Sequence, residues 1–171
     1  MVDPRKNEAH LREAIAGGHS SSVPDFGTLD EALAHFAAEQ PDAGALTYFG
    51  RTFTYGELAE LTSRTAAGLR DRGVVYGERI VVQLQNQPEF VLTALAAWRL
   101  GAVVVPVSPM YSTREVRRII ADAEPTAIVL SRSTWEHQGP ASIEGTSVRL
   151  VVTTGFADFA KRVPDVFEGL E

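Results

Sequence analysis

The sequence contains no cysteine. That excludes a disulfide framework, thiolate metal ligands and a cysteine nucleophile. Basic residues are in the minority: 16 Lys and Arg against 22 Asp and Glu give a net charge of −6 and a pI near 5.2. A surface of that sign offers no basic patch to displace counterions from nucleic acid or anionic lipid. Long apolar runs are missing as well. The longest, Ala102–Val107, is far too short to cross a bilayer. Residues 1–24 are polar and mixed in charge, without the apolar stretch of a signal peptide, and a cytoplasmic protein is expected. Glycine-rich turns are absent where nucleotides would need them. The first buried strand leads through Leu84 into Gln85-Asn86-Gln87-Pro88, and the next through Val107 into Ser108-Pro109-Met110-Tyr111. Backbone amides approach phosphate closely only where side chains are missing, so neither turn is a dinucleotide fingerprint or a Walker loop.

What is present is enough for one sizeable core: 171 residues, 44% hydrophobic and 22% charged. Residues 1–24 carry a short helical pattern over Glu8–Ala16, then Gly17-Gly18-His19-Ser20-Ser21-Ser22. This reads as an arm that is mobile or ordered by a partner, or as plain disorder. Residues 25–171 read as one α/β unit. Four segments pair a capping residue with Glu three positions on: Thr28–Glu31, Thr54–Glu57, Asn86–Glu89 and Ser112–Glu115. The cap side chain takes an orphan amide of the first turn while the Glu reaches back to the cap's own amide. Apolar residues at helical spacing follow each, ending at Pro41, Gly73, Gly101 and Pro125. Leu46–Phe49, a turn at Gly50-Arg51 and Thr52–Thr54 read as a hairpin. Ile80–Leu84, Ala102–Val105 and Thr126–Leu130 are apolar throughout, as parallel strands covered on both faces are, and Ser147–Val152 adds another. Residues 131–147 read as loop, because Gly139-Pro140 interrupts them. Strands alternating with helices predict a mostly parallel sheet with helices on both faces, preceded by the hairpin.

Candidate chemistry is thin. Thr153-Thr154-Gly155 follows a strand and is small and hydroxyl-rich, but Phe156-Ala157-Asp158 adds neither glycine nor lysine, so a turn is the better reading. His10, His19, His35 and His137 do not sit at metal-ligand spacing. Gly18-His19-Ser20 is not a nucleophile elbow, because Ser22 stands where glycine is needed. Glu57, Glu89 and Glu115 are accounted for as capping residues rather than as paired acid and base. Trp98-Arg99 could form an interface patch, with core packing of Trp98 preferred. No catalytic, cofactor-binding or metal-ligating residue is assigned.

Three stretches together resemble the adenylate-forming (AMP-binding) superfamily. Thr52-Phe53-Thr54-Tyr55-Gly56-Glu57-Leu58 is similar to its hairpin-to-helix motif. Trp98-Arg99-Leu100-Gly101-Ala102 through Val107 is similar to its next motif, in which a helix ends at Gly and a strand at Pro. Leu84–Phe90 and Ser108–Tyr111 resemble the versions in fatty-acyl-CoA ligases, with Ser108 where many of these carry Asn. The likeness covers about residues 26–152. It implies the N-terminal part of an acyl-CoA synthetase, a ligase that joins a carboxylic (fatty) acid to coenzyme A at the expense of ATP with Mg²⁺, releasing AMP and pyrophosphate. The family's phosphate loop, adenine and ribose contacts and catalytic lysine lie downstream of the stretch matched here, so the resemblance implies that residues 1–171 alone are inactive, bind no cofactor, and take the remainder of the ligase as their partner. Truncation would expose an apolar face through which a homodimer could form. A non-catalytic interaction module and a small flavodoxin-like nucleotide enzyme are the other readings.

Overall fold

The structure is a computed structural model that describes residues 26–155 and 157–161. The N-terminal arm and residues 162–171 lie outside the described residues. The elements are α1 (Leu29–Glu39), β1 (Gly44–Tyr48), β2 (Arg51–Thr54), α2 (Tyr55–Asp71), β3 (Arg79–Gln83), α3 (Pro88–Arg99), β4 (Val103–Pro106), α4 (Thr113–Ala123), β5 (Ala127–Ser131), α5 (Arg132–Ile143) and β6 (Leu150–Thr154). β1 and β2 form an antiparallel hairpin, and the other four strands form a parallel sheet in the order β4-β3-β5-β6.

Three of the four expected capping boxes are present. Thr28 with Glu31, Thr54 with Glu57 and Ser112 with Glu115 each exchange both bonds. The fourth is not. The N-cap of α3 is Gln87, which makes no side-chain capping bond, and Pro88 occupies the first helical position. Proline suits that position because its fixed φ matches the helix and its missing N–H would have been an orphan. With the start moved one residue on, Glu89 has no cap to reach back to and is buried instead.

The parallel sheet is covered on both sides because its strands alternate between two apolar faces. Ile80, Val82, Ala127 and Val129 pack with Ala66 and Leu69 of α2 and with Ala96 and Ala97 of α3. Val81, Ile128 and Leu130 pack with Val116 and Ile120 of α4, joined by Trp135 and Ile143. A third cluster, Leu33, Leu58 and Leu92, ties α1, α2 and α3 together, with Phe159 against it. Each of the larger aliphatic side chains contributes about 1.5–3 kcal/mol by leaving water.

The segment expected to be a loop is the helix α5. Ser131 caps it, accepting from the Thr134 amide at 3.0 Å. Its packing outweighs the Gly-Pro interruption. Trp135 lies against the sheet, and Gly139 is needed because a Cβ there would fall 2.1 Å from the indole Cε3. Arg117 of α4 donates to the carbonyls of Ala141 at 2.6 Å and Glu144 at 3.2 Å, so the end of the helix is satisfied from a neighbour. The hairpin turn also sits one residue earlier than expected. Phe49 and Gly50 both have positive φ, 39° and 76°, the signature of a two-residue type I′ turn. Arg51 thereby joins β2, and its guanidinium stacks over Phe53 at 4.3 Å. β6 runs over Leu150–Thr154 rather than from Ser147, because the hydroxyl of Ser147 and the amide of Arg149 bond to the carbonyls of Pro125 and Thr126 before the ladder begins.

Gly101 ends α3 as expected. Its φ is +68°, and the bonds from Gly101 N to the Trp98 carbonyl and from Ala102 N to the Ala97 carbonyl, both 2.9 Å, form the double closure of a Schellman motif. A Cβ here would also lie 2.3 Å from the Tyr76 ring. Gly101→Val should therefore lower stability by about 1–2 kcal/mol, roughly 2–8 °C in Tm. Because Tyr76 is exposed and free to swing aside, the loss should persist in a Tyr76→Ala background; thermal denaturation of both pairs reads this out. Gly139→Ala should cost about 1–3 kcal/mol through overpacking, and denaturant titration should place that loss well above any from Gly68→Ala, where φ is not positive and an added Cβ meets only the Arg72 side chain at 3.7 Å.

Candidate functional site

In an open parallel sheet, ligands bind beyond the carboxyl ends of the strands, where loops diverge to either face. Here that edge is built from the segments after β3, β4, β5 and β6. Gln83, almost fully buried at the end of β3, reaches the carbonyl of Ser108 after β4 with a long contact of 3.5 Å. Ser108 opens a turn, its carbonyl accepting from the Tyr111 amide at 3.2 Å and its hydroxyl from the Met110 amide at 3.2 Å. Met110 is left largely exposed at the tip. At the end of β5, Ser131 is committed to the first turn of α5. After β6, the Gly155 amide donates to Asp158 Oδ2 at 2.8 Å, and the Thr154 hydroxyl donates to the same oxygen at 3.2 Å. Thr153-Thr154-Gly155 is thus a turn whose Gly155 amide is spent on a carboxylate of the chain.

The residue that sequence reasoning missed is Glu89. Its spacing from Asn86 is that of a capping residue. It lies instead in the first turn of α3 at 7% exposure, with neither carboxylate oxygen in hydrogen-bonding geometry with any partner. Burial, the largest effect, raises its pKa. Its own amide opposes that shift, as does the nearby Thr154 hydroxyl, while the negative charge of Asp158 reinforces it and the Gln87 amide opposes it more weakly. Thr154 and Gln87 are close enough to be felt electrostatically without forming a well-aligned bond. Across from Glu89 on the hairpin, burial raises the pKa of Tyr48, and the charge of Glu89 adds to it. The start of α3, the hairpin and the turn after β6 therefore converge on one acid in a desolvated setting. Its only signal in the sequence was Pro88, which displaces a cap and turns the following Glu inward.

The other candidates scatter. Glu57 and Glu115 do serve as caps, and the bonds from the Ser112 hydroxyl and amide hold Glu115 below the usual carboxylate range. His35 is exposed and stacks between Phe26 and Phe36, with ring centroids 5.0 and 5.3 Å away. His137 is exposed and pairs with the Ser133 carbonyl at 2.7 Å; His10 and His19 lie outside the described residues. Among the described residues no three of His, Asp and Glu come together as a metal site, and no helix is long and apolar enough to cross a membrane. Trp98 is not in the core: it is 44% exposed, at the opposite end of the sheet from Glu89's edge. Arg99 beside it holds Asp30 at 2.7 Å and also donates to the Ser63 hydroxyl, pinning α1 and α2 to the end of α3.

A buried carboxyl with a raised pKa binds its proton more tightly in the folded state than in the unfolded one. Its contribution is fully present below the unfolded pKa and is lost as pH rises through the folded one. Glu89→Gln removes that loss. The variant should equal the wild type near pH 4 and exceed it by on the order of 1 kcal/mol at pH 8, as read from urea midpoints across that range.

Comparison with known proteins bears on this architecture. The model of the AMP-binding enzyme family matches residues 33–167. Among curated proteins, the chain is 30% identical over 136 residues to 4-coumarate–CoA ligase 5 of Oryza sativa subsp. japonica, covering 78% of this chain and 24% of that one. It is 34% identical over 101 residues to syringomycin synthase SyrB1 of Pseudomonas syringae pv. syringae, covering 59% and 16%. Among solved structures, a long-chain-fatty-acid-CoA ligase of Archaeoglobus fulgidus superposes with a TM-score of 0.68 at 27% identity, covering 77% of this chain and 28% of that one. The chain therefore spans no more than about a quarter of the curated relatives described here. The match over most of its length, the parallel sheet and the helix-ending Gly101 lead to one conclusion: this chain belongs to the AMP-binding enzyme family.

Proposed function

We propose that this chain is the N-terminal scaffold of an ATP-dependent acid–CoA ligase, a cytoplasmic enzyme with a fatty acid as its carboxylic substrate, and that residues 1–171 by themselves turn over nothing. The family match over residues 33–167 supports the ligase reading. A single observation carries the inactivity: at the sheet edge where a nucleotide would sit, the Gly155 amide is bonded to Asp158 and the edge presents no glycine-rich run of free amides. Members of this family use ATP, Mg²⁺ and coenzyme A. The described residues do not fit the first two, because they hold no acidic cluster for the metal and no amide cradle for the phosphates. The chain's part is structural. Its sheet and helices form the body against which the remainder of the ligase, its principal partner, completes the nucleotide and acyl sites.

The fatty-acid assignment rests on Leu84–Phe90 and Ser108–Tyr111, whose pattern resembles fatty-acyl-CoA ligases. Relatives of similar identity include proteins named for 4-coumarate and for syringomycin synthesis. The matched region is thus shared across acid classes, so the support for a fatty acid comes from those two stretches. A second reading, a non-catalytic interaction module, is favoured by one feature: Leu29, Tyr76 and Met110 are large apolar side chains left exposed.

ATP–pyrophosphate exchange with Mg²⁺ and a panel of fatty, aromatic and amino acids separates these. The chain should give background exchange only, and the full reading frame that contains it should exchange at least a hundredfold faster with fatty acids. Exchange by the chain itself would overturn the scaffold reading. Exchange by the full frame with aromatic or amino acids alone would replace the substrate class, and silence from both would favour the interaction module.

A further inference from the structure

Two acids converge on one hydroxyl at the end of β6. Thr154 is buried, and its Oγ1 donates to Asp158 Oδ2 at 3.2 Å. The Gly155 amide donates to the same oxygen at 2.8 Å. Close to that hydroxyl stands Glu89, 7% exposed, with both carboxyl oxygens shut off from solvent and neither bonded. Packing explains why the two segments meet. Glu89 and Leu92 are three residues apart and share a face of α3. Phe159 packs against the cluster of Leu92, Leu33 and Leu58, and its ring meets Phe53 of β2 at a centroid distance of 5.5 Å. Arg51 lies over both rings, 4.3 and 5.4 Å from their centroids. Asp158 and Phe159 are thereby laid against the first turns of α3. The scaffold reading gives the acid at this junction no task.

A carboxylate enclosed without water or a donor loses solvation that nothing restores. The neutral acid escapes that penalty, because its own O–H is a donor and a threonine oxygen can accept while its hydrogen is given elsewhere. We propose that Glu89 is the neutral acid of a three-member relay, in which its O–H donates to Thr154 Oγ1 and the Thr154 O–H donates to Asp158 Oδ2, and that this relay latches the turn after β6 onto the start of α3 until Glu89 ionises. On ionisation the proton leaves to solvent, and one hydroxyl hydrogen is left for two carboxylates. Thr154 can serve only one of them, and two like charges then face each other across it. The surrounding groups fix that sign. Asp158 is the anion that faces Glu89, Tyr48 of β1 is a phenol and Gln87 an amide. The cation stands at the accepting end of the relay: Arg132 Nη1 and Asp158 Oδ1 lie 3.3 and 2.8 Å from the point a Cβ on Gly155 would occupy. Burial raises the pKa of Glu89, so the relay is complete at low pH and is lost as pH rises through the folded-state value. What opens is the turn and its hold on α3, while the sheet stays closed.

Hydrogen exchange at the Gly155 amide reads the latch. The ¹³C shift of Glu89 Cδ marks its ionisation, followed upward in pH until it reports the carboxylate. Corrected for the intrinsic pH dependence of exchange, Gly155 protection should fall about tenfold along the same curve. The amides of Val81 and Ile128, in the buried strands, should keep their protection and certify the fold. Glu89→Gln, whose amide donates at every pH, should hold Gly155 protected throughout. Thr154→Val, which cuts the relay, should leave it weakly protected and flat with pH. Gly155 protection indifferent to the ionisation of Glu89, or a fall that survives in Glu89→Gln, would overturn the proposal. So would a Glu89 Cδ already in its carboxylate form wherever the turn is protected.

Discussion

Everything else in this molecule hangs on the burial of β3 and β5 on both faces. Ile80, Val81 and Val82 in one strand and Ala127, Ile128 and Val129 in the other alternate between two apolar clusters, and none of them touches solvent appreciably. A strand pair of that kind has no polar face to turn outward, so helices must cover both sides, and parallel pairing with helical crossovers is the connection that supplies them. The register follows: Val81 lies between Val105 of β4 and Ile128 of β5. The two outer strands complete the ladder, and α2 with α3, and α4 with α5, close the faces.

The same constraint determines where chemistry can occur. Core residues are committed to packing, so functional groups are left to the loops at the strand ends. At the carboxyl end those loops are short of glycine, and the one glycine that follows a strand directly, Gly155, is closed onto Asp158. What remains is Glu89, an acid held without a bonded partner beneath the hairpin and the turn after β6. A buried carboxyl of this kind costs stability once it ionises, and the fold tolerates it at the carboxyl edge of the sheet. At the amino end, the hollow beside Trp98 is the converse: apolar side chains exposed to water around a rigid ion pair. The two ends of one sheet carry opposite violations of the rule that apolar groups are buried and charges are solvated.

Much was legible in the sequence because it depends on neighbours a few residues apart. Thr28, Thr54 and Ser112 find their glutamates at the third residue on, and Gly101 meets a left-handed requirement that arises within one helical turn. The apolar runs of β3 and β5 determined a parallel, doubly covered sheet. The fatty-acyl-type stretches and the two superfamily motifs lie within such local segments, and so the family was readable where the length of the acyl chain was not.

Tertiary contact alone decided the rest. α5 forms across Gly139-Pro140 because Trp135 is packed against the sheet and Arg117 of a neighbouring helix takes its last carbonyls; no window of sequence contains that arginine. Glu89 was a cap by spacing and became a buried acid once Pro88 took the first helical position and the hairpin closed over it. Trp98 was a core residue by periodicity and stands exposed beside an open hollow between the start of α1 and the end of α3. Local spacing determined which segments form helices and strands, since those bonds close within a turn or a ladder. Which face each segment buries depends on surfaces contributed from dozens of residues away, and only the assembled fold brings those together.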